Sequence, residues 1–126
     1  MKEYQPKSSK LSHTAYMLTV YFIRGHDERQ AEYASVIGIG SVPQDVMLHG
    51  TIKSDPTALQ AEKLIKLGKK IDAVERALQR IPEEYRNGVY SSIAYRTPYP
   101  DYANKNTWTR WRISFITYVA EAMEFI

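Results

Sequence analysis

Between residues 64 and 81 the apolar side chains Leu64, Leu67, Ile71, Val74, Leu78 and Ile81 recur at spacings of 3, 4, 3, 4 and 3. An α-helix places such positions on one stripe, and a stripe this narrow is the seam of a helix–helix contact. Ser54-Asp55-Pro56-Thr57 supplies a start signal, with a hydroxyl or carboxylate cap followed by proline in the first turn. Pro82 ends the helix or re-aims the chain, because its ring disfavours helical geometry in the preceding residue. Lys63, Lys66, Lys69, Lys70, Arg76 and Arg80 lie off the seam. The seam serves either packing against an earlier helix of the same chain or a homodimer.

The earlier helix is predicted to start at Ser12 or Thr14, either of which can cap it, and to run to about Ile37. Ala15, Leu18, Phe22, Gly25, Arg29, Glu32 and Val36 would form its stripe. Val20, Tyr21, Phe22 and Ile23 favour β structure, but the segment from Asp27 to Ala34 has no β character, so helix is the better reading. Residues 1–11 read as a flexible polar tail. Residues 38–53, with Gly38, Gly40, Pro43 and Gly50, read as a connector. Its Gly-Ile-Gly lacks the third glycine and the lysine of phosphate-binding loops.

After Pro82 the pattern changes. Glu83 and Glu84 suit the positive end of a helix dipole, and Tyr85, Val89, Ser92 and Ile93 form an inward face. Arg96-Thr97-Pro98-Tyr99-Pro100 breaks this helix, and residues 100–103 allow one short helical turn. Asn104 or Asn106 then caps a final helix whose face carries Trp108, Trp111, Phe115, Tyr118, Val119 and Ala122. The expected fold is all-α with four or five helices. One domain spans residues 12–126, divided into a long helix pair (12–81) and a helix-turn-helix-like module (82–126).

Charge is uneven along the chain. Residues 63–112 hold eleven Lys/Arg against five Asp/Glu, an excess of six in a chain whose net charge is +3. The remainder is therefore net negative by three, and the asymmetry favours a polyanionic partner for the second half. With no cysteine there is no disulfide, thiolate metal site or cysteine nucleophile. The first residues lack the apolar run of a secretory signal, and Tyr16–Ile23 is too short to cross a membrane, so a cytoplasmic protein is expected. His13, His26 and His49 have no metal-ligand spacing and read as surface residues. No serine lies in a GxSxG context, and Glu83 and Glu84 point in different directions. The sequence gives no case for an enzyme, a cofactor or a metal.

What remains is the order required of a helix-turn-helix: a supporting helix (82–95), a connection (96–106) and a reading helix starting near Thr107. Asn106, Thr107, Thr109, Arg110 and Ile113 would lie at its exposed start, where Arg and Asn can bond guanine and adenine. Arg96, Lys105 and Arg112 would suit phosphates.

The segment Ile81-Pro82-Glu83-Glu84-Tyr85-Arg86, with the later Trp108-Thr109-Arg110-Trp111-Arg112, resembles region 4 of sigma factors. This chain departs from that pattern between Tyr95 and Asn106, where Thr97-Pro98-Tyr99-Pro100-Asp101-Tyr102-Ala103 replaces the second helix. From about Thr14 onward the chain also resembles small proteins of Firmicutes phages and prophages described as transcriptional regulators of the RinA/ArpU type. Ser54-Asp55-Pro56-Thr57-Ala58, Ile81–Val89 and Thr107–Arg112 with Phe115-Ile116 carry this likeness. It implies a reading helix at Asn106–Met123, double-stranded DNA as partner, RNA polymerase as a second candidate partner, and the cytoplasm of a bacterial host. The alternative is a phage accessory or anti-defence protein whose seam and Tyr-rich 85–102 stretch bind a host protein or a small anionic signal.

Overall fold

The computed structural model describes residues 5–37 and 58–126. They form five α-helices, with no strand among the described residues: α1 His13–Arg24, α2 His26–Val36, α3 Ala58–Gln79, α4 Glu83–Ala94 and α5 Lys105–Ala122. The all-α expectation is met. The Ser54–Thr57 start signal, the 38–53 connector, His49 and the first four residues of the expected tail lie outside the described residues.

The chain forms two compact units, Met1–Gly25 with Ala73–Ile126, and His26–Asp72. The division differs from the boundary expected at Pro82. Val74, Ala77 and Ile81 are buried in the same core as Val89, Ile93, Trp108, Phe115, Ile116 and Val119, so the last turns of α3 belong with the C-terminal helices. In the smaller unit, Lys63 Nζ meets Glu32 at 2.7 Å and Gly68 faces the ring of Tyr33, so α2 packs on the first part of α3. The seam is used within the chain. Val74 and Ile81 are fully buried, Leu67 nearly so, and Leu64, Ile71 and Leu78 are half-buried.

The single first helix is corrected to two. The Gly25 N–H folds back to the carbonyls of Tyr21 and Phe22, which closes α1. Asp27 and Glu28 then sit in the first turn of α2, where the helix dipole favours them. Ser12 is the cap of α1, its hydroxyl accepting from the Ala15 N–H at 3.1 Å. The inward stripe is rotated from the one expected. Tyr16, Val20 and Ile23 are fully buried, whereas Leu18 is 48% exposed. Spacings of four and three at positions 16, 20 and 23 define a helix face as well as the expected set does, and the larger Tyr16 ring takes the core. His26, read as a surface residue, is buried.

The tail is also corrected for residues 5–11. Pro6 is buried, the Ser9 N–H donates to the Pro6 carbonyl, and Gln5 Nε2 donates to the Leu11 carbonyl at 2.8 Å. Gln5 Oε1 also pairs with His13 Nδ1 at 3.1 Å, and Leu11 packs against the core. A polar composition hid this turn, because its anchors are one proline and one leucine.

Helices α4 and α5 fall within one residue of their expected bounds. Pro82 occupies the cap position of α4 with φ −54° and ψ 139°, one residue before the helix. Asn104 caps α5, its Oδ1 accepting from the Asn106 N–H at 2.6 Å. The short helical turn that residues 100–103 allow does not form. Residues 95–104 are non-helical, with only a turn at Asp101–Tyr102. Aromatic contacts hold this connector in place. Tyr99 stacks on Trp108 at 5.5 Å and 7°, Tyr102 meets Trp108 edge-on at 5.3 Å, and the Tyr102 hydroxyl donates to the Glu84 carbonyl. Pro98 and Pro100 preclude a continuous second helix.

Candidate nucleic-acid interface

Helix α5 has two faces. Trp108, Arg112, Phe115, Ile116, Val119 and Ala120 are buried. Opposite them, Asn106, Thr109, Arg110, Ile113 and Ser114 line a surface groove of about 470 Å³ with Ser8 of the N-terminal turn. Positions 106, 109, 110 and 113 follow the helical repeat and so share one side. The structure therefore brings together four of the eight residues expected to meet DNA.

The other four are placed elsewhere. Lys105 is exposed on the first turn of α5 but outside the groove lining. Thr107 is half-buried in that turn, its N–H donating to the Asn104 carbonyl. Arg96 is exposed just after α4 in the left-handed region, with φ 57°. Arg112 is corrected from a phosphate contact to a core residue. Its Nε donates to the Tyr16 hydroxyl at 3.2 Å and its guanidinium to Ser92 Oγ at 3.3 Å. Burial works against its charge, but the tyrosine hydroxyls of Tyr16 and Tyr99 outweigh that and hold its pKa above the ordinary arginine value. Position 112 lies on the stripe running from Trp108 to Phe115, so its spacing outweighs its charge.

The basic excess of residues 63–112 does not become one free surface. Lys63 pairs with Glu32 and Lys66 with Glu62. Arg80 lies 3.6 Å from the ring centroid of Tyr118, a cation–π contact. Arg86 donates to the Ile81 carbonyl at 2.8 Å and to the Gln79 carbonyl at 3.3 Å, satisfying acceptors left over at the end of α3. Among the described residues of the larger unit, the exposed cations with no such partner are Lys7, Lys10, Arg96, Lys105 and Arg110. Sequence reasoning missed Ser8, Ser114 and the two N-terminal lysines. Ser114 was findable, being one helical turn beyond Arg110.

Among the described residues no group of three His, Cys, Asp or Glu side chains could hold a metal ion, and no helix is long and apolar enough to cross a membrane. Comparison with protein-family models, with curated proteins and with solved structures returns no match to this chain.

Proposed function

We propose that this chain is a phage-type, DNA-binding transcriptional regulator that works without a cofactor in the cytoplasm of a bacterial host. The observation that carries the reading is the outward face of α5. Asn106, Thr109 and Arg110 line one groove, and no Asp or Glu occurs from Lys105 to Ala120. Asparagine and arginine side chains bond adenine and guanine edges, threonine reaches bases or phosphates, and a helix fits the major groove. The rigid seat of α5 supports this use, because Trp108 and Phe115 fix its rotation.

The resemblance to sigma region 4 adds RNA polymerase as a candidate second partner. The ten-residue connector differs from a tight helix-turn-helix corner, so α5 would present its first two turns to DNA without a short preceding helix across the backbone.

The test is fluorescence anisotropy of a labelled random-sequence duplex across a salt series. Binding at low salt that falls steeply as salt rises is expected, because each neutralised phosphate releases a counterion. No binding at low salt contradicts the proposal. A second reading, a host-protein partner, draws support from Tyr95 and Tyr102, which are 57% and 61% exposed in the Tyr-rich stretch. That reading predicts Tyr102-dependent binding of a host protein that survives nuclease treatment.

A further inference from the structure

The groove on α5 has a second wall that the sequence reads as a tail. Ser8 lines it opposite Asn106, Thr109 and Arg110. Ser8 is held there by a turn anchored on buried Pro6 and on the Gln5–Leu11 hydrogen bond. Lys7 and Lys10 flank it, both exposed and without an ion-pair partner among the described residues. From Gln5 to His26 the sequence holds no Asp or Glu, as on α5 from Lys105 to Ala120. Two segments nearly a hundred residues apart in sequence thus meet at one groove, and each is free of negative charge.

We infer that the Lys7–Lys10 turn is the second half of the interface, gripping the DNA phosphate backbone beside α5. The inference rests on the DNA-binding reading above. Lysine suits this role because its ammonium acts as a point charge on a flexible stem and needs no fixed hydrogen-bond geometry. The turn would neutralise phosphates and fix register, while Asn106 and Arg110 would face the bases. Ser8 is small and uncharged, which leaves room for a phosphate oxygen between the two lysines and α5.

The experiment compares the full chain with the K7A/K10A double variant, with Ser8→Glu and with Arg110→Ala, each titrated against a random-sequence duplex at several salt concentrations. The double variant is expected to bind about tenfold more weakly per lysine at low salt. Its salt dependence should be shallower by about 1.8 in the log–log slope, at 0.9 per lost phosphate contact. Ser8→Glu should weaken binding further by placing a carboxylate in the groove. Circular dichroism should be unchanged, since Pro6 and Leu11 are kept. If Arg110→Ala weakens binding while the double variant keeps the affinity and slope of the parent, the inference fails and the α5 reading stands. If the parent chain does not bind at low salt, both fail.

Discussion

Gly88 lies directly beneath the indole of Trp108: a Cβ added to it would come within 2.6 Å of both Cη2 and Cζ3. Trp108 is fully buried and stacked on Tyr99, so it has nowhere to move. Gly88 sits inside α4, where alanine would ordinarily stabilise a helix by about 1 kcal/mol. Here overpacking costs about 1–3 kcal/mol on top of losing that gain. Gly88→Ala is therefore expected to destabilise the fold in urea unfolding. Gly68, inside α3, is the control. Among the described residues its added Cβ would meet only Tyr33 Cε2 at 3.6 Å, an ordinary contact. Gly68→Ala should be neutral or stabilising by up to about 1 kcal/mol.

Arg110 and Arg112 are two residues apart and have opposite fates. Arg112→Ala removes the bonds to Tyr16 and Ser92 and leaves a cavity, so it should cost about 2–4 kcal/mol of stability. Arg110→Ala should change stability by less than about 0.5 kcal/mol, since its side chain is exposed. A raised arginine pKa contributes stability below the unfolded pKa and loses it only as pH rises through the folded one. That window lies above the working range, so the Arg112 contribution should stay flat between about pH 5 and pH 9.

The late helices were legible because their punctuation is local. Pro82, the acidic pair Glu83-Glu84 and the cap at Asn104 each act on the backbone beside them. The seam from Leu64 to Ile81 was legible for the same reason. The first helix was not, because its break at Gly25 leaves the spacing of nearby residues intact, and because Tyr16 and Leu18 compete for the inward face on equal patterns. The site was half legible. Helical periodicity put Asn106, Thr109, Arg110 and Ile113 on one side. Arg112 is held in the core by Ser92 and by Tyr16, a partner 96 positions away that no local pattern reveals. Ser8 reaches the groove through a turn with no strong local signature.

Arg96 holds a left-handed backbone with a side chain that disfavours it. The Thr97 N–H reaches back to the Ser91 carbonyl across this residue, so the conformation is locked by the end of α4. Arg96→Gly is expected to raise stability by about 0.5–1 kcal/mol in denaturant unfolding. If Arg96 meets a phosphate, the same variant should reduce the salt slope of DNA binding by about 1, uniformly across sequences.

The cap at Asn104 sets the start of the proposed reading helix. Asn104→Ala should cost about 1 kcal/mol, whereas Asn104→Asp should keep most of the stability. Hydrogen exchange at Asn106 and Thr107 reports the change directly, with faster exchange expected in the alanine variant.

The most direct measurement of the central claim is amide chemical-shift mapping of the full chain during titration with duplex DNA at low salt. The largest shifts are expected on Asn106, Thr109, Arg110 and Ile113, together with Ser8 and its neighbours, and Arg110→Ala should weaken binding by about 1–3 kcal/mol to a duplex whose base it reads. Shifts confined to Tyr95, Tyr102 and their surroundings, or no shifts at all, would contradict it.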